Sequence, residues 1–410
     1  MVAAVTRGAP PGAENTPVEP DPVSTGEGIV SRTSSRTPRQ HPVRGGARGA
    51  FGYSFASKGA TDMTAPRSAT PRRRRRLLAA VAAVSALALS GCAAGASEGE
   101  DGLTTIRFAL DWTPNTNHTG LYVAMSEGYF AEAGIEVEIV PYNNSSADVL
   151  VDSGRAEFGI GFQDSTSVTM AAGADLVSVL AVQQTWTTEV SVLADRDDIQ
   201  GLDDLDGLVY GGFGTPAEEA IMRGVIERAG GEGEFETVVL GTTAYEALYN
   251  GDVDFTVPFV AWEGIEAEHR GVELKNFAYT DYGFPDNYQV IITGNGTWLD
   301  ENPELASGFV QAIARGYEDA IEDPAGAAEI LQQENSDVLT DLDFLIESQE
   351  MLSEEFMLDE QGEFGLQTEE QWSELGAFLY EHDLLADGEG APLEEEPDWS
   401  SLFTNEYLGE

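Results

Sequence analysis

The run Leu110-Asp111-Trp112-Thr113-Pro114-Asn115-Thr116-Asn117-His118-Thr119-Gly120-Leu121-Tyr122 holds the densest polar and aromatic constellation in this 410-residue chain. Trp112 offers a flat stacking face. Asn115 and Asn117 each carry two donors and an acceptor, a set suited to reading the edge of a heterocycle. His118 can donate or accept a hydrogen bond at neutral pH. The same residues also suit a structural role, with Asn115 and Asn117 in turns and caps and Trp112 in a core. Spacing alone leaves both uses open. A second group is Gly211-Gly212-Phe213-Gly214-Thr215-Pro216, just before a helical stretch. Such a turn can present backbone N–H groups to an anion. No Lys follows it, so it is not a nucleotide-binding P-loop. A tight turn touching a small neutral ligand through Gly214 and Thr215 is the expectation, with a purely structural turn as the alternative.

The elements that must position these residues alternate short strands with helices. Thr104–Leu110 is a β-rich strand that delivers the first group at its carboxyl end, where ligands bind in open α/β sheets. Gly120–Ala133 predicts a helix closed by Gly134, Ile135–Val140 a period-two strand, and Ser146–Ser153 a short helix. Phe158–Gly161 is a buried strand leading to Gln163, a further candidate ligand contact, and Asp164 or Ser165 is expected to cap the helix that runs to Ala171. Leu176–Val182 is another strand. A second unit repeats the pattern: strand 208–210, the Gly-rich turn, helix 217–229, strand 235–240, helix 244–250 and strand 254–260. Tyr288–Ile292 is a further strand, and helices are predicted over 304–322, 341–348 and 369–382. The rhythm predicts an α/β fold with a mostly parallel sheet. Two lobes follow, 103–194 with a return over 287–385, and 195–286, joined by crossover strands at Val190–Ala194 and Asn287–Thr293. A ligand cleft is expected between them. Residues 386–410 form an acidic C-terminal extension, packed or loose.

Ahead of these elements, Arg72–Arg76 precede the apolar run Leu77–Leu89, which ends in Leu89-Ser90-Gly91-Cys92. About 13 apolar residues is too short for an ordinary membrane span and matches a signal-peptide h-region. The order of n-region, h-region and small residues before Cys92 resembles the bacterial lipobox, which implies that Cys92 is acylated and becomes the first residue of the mature chain. Residues 63–91 are then the signal peptide and 92–102 a small, polar tether. Residues 1–62 read as disordered, and translation is expected to start at Met63. The arginine run leaves the Sec and twin-arginine routes both open. Cys92 is the only cysteine, so no intrachain disulfide and no thiolate metal cluster can form.

Composition narrows the partners. The chain has 21 Lys+Arg against 72 Asp+Glu, a net charge of −51. The segment before Cys92 is basic, so the chain from Cys92 onward carries −59, with Lys275 its single lysine. Such a surface repels phosphate backbones, which excludes nucleic-acid binding, and its field disfavours anionic ligands. Hydrophobic residues at 42% are ample for a core.

The Trp112–His118 run resembles the signature of the thiamine pyrimidine precursor-binding (SsuA/THI5-like) branch of bacterial ABC-transporter substrate-binding proteins. The likeness continues through Glu127-Gly128-Tyr129-Phe130-Ala131-Glu132-Ala133-Gly134-Ile135, Gly214-Thr215-Pro216-Ala217-Glu218-Glu219, Ala261-Trp262-Glu263-Gly264-Ile265-Glu266 and Asn302-Pro303-Glu304-Leu305. It covers about residues 103–385. The resemblance implies the type 2 periplasmic-binding-protein fold and a hydroxymethyl- or formylaminomethyl-aminopyrimidine ligand. Such a ligand is compatible with Trp112 and Trp262 as stacking candidates, Glu263 as acceptor from the exocyclic amine, Asn115 on a ring nitrogen and Tyr288 closing the cleft; a solvated helix position for Glu263 and a core position for Trp262 are the alternatives. The expected partners are this small heteroaromatic ligand, an ABC permease with its ATPase, and the membrane through the lipid anchor. The protein is expected to be a monomer on the extracytoplasmic face of the cell membrane, with no cofactor, no metal and no catalysis. Two alternatives remain. One keeps the receptor and changes the ligand to riboflavin, an aliphatic sulfonate or nitrate. The other is a hydroxymethylpyrimidine phosphate synthase-like enzyme, whose cysteine-rich motif this chain lacks.

Overall fold

A computed structural model describes residues 102–409, apart from residues 144, 216 and 217 and the side chain of residue 242. Cys92, the signal peptide, the leader and the tether up to residue 101 lie outside the described residues. Nine strands occur in chain order: β1 (Thr104–Ala109), β2 (Ile135–Val140), β3 (Phe158–Gly161), β4 (Leu176–Ala181), β5 (Glu189–Leu193), β6 (Val209–Gly212), β7 (Glu236–Val239), β8 (Leu274–Ala278) and β9 (Ile291–Asn295). The first lobe is built on a five-stranded sheet in the order β2-β1-β3-β9-β4. β1 runs parallel to β2 and β3, whereas β9 is antiparallel to both its neighbours. β9 returns from the far end of the second lobe, and that reversal makes it antiparallel.

The second lobe has two pairs, antiparallel β5-β8 and parallel β6-β7. The segment 254–256 stitches them together, bridging Ser191 to Thr256 and Tyr210 to Phe255. A continuous strand over 254–260 was the sequence expectation. The segment instead makes isolated bridges, since Pro258 has no N–H to give to a ladder. Val190–Ala194 lies mostly in β5 and pairs with β8 inside the second lobe. The chain passes between lobes just before β5 and just before β9. There Val182 and Gln183 N–H both reach the Val290 carbonyl at 2.8 and 3.1 Å, and Trp186 N–H reaches the Asp286 carboxylate at 2.8 Å.

Other departures have local causes. The helix expected over 120–133 is two, Thr119–Ser126 and Tyr129–Glu132, because Gly128 turns left-handed at φ 79°. The helix after β3 starts at Gln163 without a side-chain cap, and Asp164 instead accepts its neighbour Ser165 N–H at 2.6 Å. The helix begun at residue 342 continues to Glu355, and a further helix fills Pro324–Glu334. The acidic C-terminal stretch packs in part: Ser178 of β4 bonds to Leu402 and Thr404, and Trp399 is buried.

Helix Pro303–Glu322 presents an apolar face to the first sheet, where Phe309 stacks on Phe158 with ring centres 4.1 Å apart. The same helix fixes the first candidate loop. Gly120 lies so close to the Tyr317 ring that a Cβ there would sit 2.2 Å from Cγ. That approach lets the Tyr317 hydroxyl donate to the Asn117 carbonyl at 2.7 Å. Among the described residues no helix is long and apolar enough to cross a membrane.

Candidate functional site

The cleft between the lobes holds a cavity of about 160 Å³. Its walls come from both lobes. The loop after β1 supplies Asp111, Trp112, Asn115 and Asn117, and the first turn after β3 supplies Asp164 and Ser165. The second lobe supplies Phe213, Thr215 and Glu218 around the Gly-rich turn, then Tyr210, Tyr245 and Tyr279. The turn Val260–Gly264 adds Trp262 and Glu263. That turn is π-helical, a form that often marks functional sites. Trp186, Thr188 and Gln289 enter from the interlobe segments.

Aromatic rings span the cleft. Trp112 of the first lobe lies 4.8 Å from Phe213 of the second and 5.7 Å from Tyr142. Trp262 meets Phe344 edge-on at 4.7 Å. Both candidate stacking residues therefore line the cavity with a neighbouring ring behind them.

The charge lining is one-sided. Four carboxyl groups face the cavity, Asp111, Asp164, Glu218 and Glu263, and among the described residues no Lys, Arg or His lines it. Five of the described arginines are paired away from the cavity. Arg107 pairs with Glu157, Arg196 with Asp198 and Asp254, Arg223 with Glu219, Arg270 with Glu266 and Arg315 with Glu132. Burial pushes the Glu263 carboxyl up to about 8, against the opposing pull of the Phe259 N–H that it accepts at 3.1 Å. Asp164 is pushed up to about 6, first by burial and further by the nearby Glu218 charge. The phenols of Tyr210, Tyr245 and Tyr279 are held well above their ordinary value by burial, so they stay neutral donors.

The Gly-rich turn is already occupied. Glu218, in the first turn of helix Glu218–Ala229, accepts Gly214 N–H at 3.0 Å and Thr215 N–H at 3.1 Å. The N–H groups that would receive a sulfonate or nitrate hold the chain's own carboxylate. Gly214 needs its φ of +102° for this turn and does not itself line the cavity.

Gly214, His118, Gln163 and Tyr288 sit behind the wall, and the two asparagines that reach it are partly committed to the fold. Asn115 reaches the cavity, yet its Oδ1 caps Asn117 N–H at 2.8 Å and its Nδ2 donates to the Thr113 carbonyl at 3.2 Å. Asn117 accepts from Gln183 at 2.7 Å, and its Nδ2 has no partner among the described residues. His118 is fully buried and does not line the cavity. Its Nδ1 accepts Asn115 N–H at 3.2 Å, so the ring proton sits on Nε2 and is given to Asp111 at 2.7 Å. His118 thus aims Asp111, and it is Asp111 that meets the cavity. Gln163 is also sealed, its Oε1 accepting Tyr288 N–H at 2.8 Å. Tyr288 turns into the core, its hydroxyl accepting Thr368 N–H at 2.8 Å, so it lies off the cavity wall. Sequence reasoning did not single out Asp111, Asp164, Trp186, Thr188, Phe213 and Glu218 as ligand contacts. Asp111 and Phe213 stood inside quoted motifs, whereas Trp186 and Thr188 carried no local signal.

Residues 115–327 match the family model described as NMT1/THI5 like. The formylaminopyrimidine-binding protein of Halalkalibacterium halodurans is 31% identical over 305 residues, 73% of this chain and 92% of its own length. A 4-amino-5-hydroxymethyl-2-methylpyrimidine phosphate synthase of Legionella pneumophila is 25% identical over 58% of this chain and 76% of its own. Among solved structures, the alkanesulfonate-binding protein SsuA of Xanthomonas axonopodis matches with a TM-score of 0.55 at 12% identity, covering 73% of this chain and 98% of that one. The fold is therefore that of the periplasmic binding proteins, as the two-lobe reading of the sequence expected.

Proposed function

The chain belongs to the NMT1/THI5-like family, and from that premise we propose that it is the binding component of an ABC importer for a thiamine pyrimidine precursor. The observation that carries this reading is a cavity walled by aromatic rings, holding a buried carboxyl and no cationic side chain among the described residues. A 4-aminopyrimidine presents a flat ring and, on one edge, a ring nitrogen beside an exocyclic amine. The protonated Glu263 carboxyl donates to the nitrogen and accepts from the amine, a paired contact that satisfies both. Trp112 and Trp262 supply faces for stacking, worth several-fold in affinity each. Glu218 on the Gly214 and Thr215 N–H groups opposes a sulfonate or nitrate.

Binding without turnover is the reading that a binding-protein relative at 31% identity supports. On this reading Cys92 carries the lipid, the mature protein sits as a monomer at the extracytoplasmic face of the membrane, and the closed lobes present the ligand to a permease and its ATPase. Calorimetry on the purified mature chain tests the ligand class. Heat of binding is expected with the formylaminomethyl- or hydroxymethyl-aminopyrimidine and none with an alkanesulfonate; the reverse pattern refutes the assignment. Trp112→Ala is expected to weaken pyrimidine binding by roughly tenfold or more.

A further inference from the structure

Two carboxyl groups face the cavity from opposite lobes, and among the described residues no cationic side chain lines it. Asp164 stands in the first turn of the helix after β3, in the first lobe. Glu218 opens the helix after the Gly-rich turn, in the second. The Thr215 hydroxyl donates to Glu218 at 3.2 Å, and with the Gly214 and Thr215 N–H groups it holds that carboxyl in place. The charge of Glu218 acts on Asp164 and on the phenols of Tyr210, Tyr245 and Tyr279, so these five groups stand round one part of the cavity. Two carboxyls brought together across a cleft resist its closure unless a proton or a cation comes between them.

The phenols are a second, independent observation. Tyr210, Tyr245 and Tyr279 are only 3%, 9% and 4% exposed. None of their hydroxyls makes a hydrogen bond among the described residues. Nor are they among the side-chain atoms that the fold seals away without a partner, so they open onto the cavity that they line. Buried polar groups left open in this way are completed by what fills the cavity. A phenol oxygen accepts as readily as it donates, whereas an ionised carboxyl only accepts, so the partner that suits both is a donor. An ammonium group brings three N–H donors and a positive charge. The ring faces of Trp112, Phe213 and Trp262, on the same cavity, also attract a cation. Among the described residues no three His, Cys, Asp or Glu side chains gather as donors to a metal, which favours an organic cation.

We propose that the cavity selects a ligand bearing a positive charge, an aminopyrimidine with a protonated primary amine on its side group, and that this ammonium is held by Asp164, Glu218 and the phenols around them. This rests on the aminopyrimidine reading of the cavity. Glu263 and the stacking faces read the ring, and the carboxyls of the two lobes read the charge of the side group. Stripping water from an ammonium is costly and is offset only where carboxyls from both sides meet it, which couples recognition of the charge to closure of the lobes.

The test is a ratio of affinities, measured at pH 7 by calorimetry on the purified full chain. The two probes are 4-amino-5-aminomethyl-2-methylpyrimidine and 4-amino-5-hydroxymethyl-2-methylpyrimidine, which share the ring and the length of the side group and differ in charge. The wild type is expected to prefer the amine by about tenfold or more. Asp164→Asn and Glu218→Gln keep the shape and an oxygen for the N–H groups that each carboxyl accepts, and each is expected to shrink that preference to about threefold or less. Because the readout is a ratio, a general loss of affinity in either variant does not imitate the effect. If the wild type binds the hydroxymethyl probe as tightly as the amine, or if the preference persists unchanged in both variants, the charge selection is overturned while the aminopyrimidine reading stands. Failure of the wild type to bind either probe overturns that reading and the charge selection with it.

Discussion

Replacing Glu263 with Gln should stabilise the ligand-free protein, and the gain should grow with pH. The carboxyl is buried, faces no cation among the described residues, and titrates at about 8 in place of its ordinary 4.5. For an acid whose folded value is raised, the folded state holds the proton more tightly than the unfolded chain does. Stability from this group is therefore fully present below about pH 4.5 and is lost as pH rises from there to about 8. Each pH unit in that window costs about 1.4 kcal/mol. At pH 7 the wild type has lost about 3 kcal/mol through this one group, less whatever the dense negative charge of the unfolded chain returns by raising its own carboxyl values. Glutamine keeps an oxygen for the Phe259 N–H and never ionises. Urea titrations of both proteins at pH 4.5, 6, 7 and 8 check this without ligand. The curves should coincide at the acid end and separate progressively above it. Parallel stabilities across the series would mean that Glu263 is solvated or paired, and the reasoning about the cavity's charge would fall with it. The same variant should keep aminopyrimidine binding to within several-fold, because its amide N–H donates to the ring nitrogen and its carbonyl accepts from the amine as the protonated carboxyl does.

Two further substitutions separate the roles of neighbouring elements. Glu218→Ala frees the Gly214 and Thr215 N–H groups, so the variant should acquire weak, salt-sensitive sulfate binding that calorimetry does not detect in the wild type; no gain would show that the carboxylate is not what bars anions. Gly120→Ala places a methyl against the Tyr317 ring and should lower stability by about 2–3 kcal/mol, seen as a thermal midpoint several degrees lower. An unchanged midpoint would show that the helix carrying Tyr317 does not clamp the Trp112–His118 loop.

Much of the fold was legible because it rests on local periodicity. The strand Ile135–Val140 alternates, and Leu305, Phe309, Ile313, Tyr317 and Ile321 recur on one helical face; both patterns reappear as elements with the bounds expected to within a residue or so. The splitting of helix 120–133 was less visible, although Gly128 carried the signal. Within the site, Trp112, Thr215, Trp262 and Glu263 were candidates from their motifs and do line the cavity, whereas Asp111, Phe213 and Glu218 stood in the same motifs and were passed over. The polar residues were harder to place. An Asn, Gln or His can satisfy its hydrogen bonds on the fold or on a ligand, and sequence does not say which. Asn115 caps a turn, Gln163 and Tyr288 tie the interlobe segment to its neighbours, and His118 orients an aspartate.

The sequence by itself determined an acidic chain of alternating strands and helices, with contiguous aromatic and Asn-rich motifs and a single cysteine after a basic and then apolar run. Those properties are written in composition, periodicity and contiguous motifs, which need no partner from elsewhere in the chain. Only the tertiary structure decided the chemistry of the cavity. It brought Trp112 within reach of Phe213, filled the Gly-rich turn with Glu218, stranded Glu263 without a counter-ion, and set Asp164 near Glu218 across the cleft. Each of these depends on which groups meet across the interlobe cleft and on what remains unsatisfied there once the chain has closed on itself. Burial and unmet hydrogen bonds are properties of the assembled surface, so no stretch of sequence carries them alone.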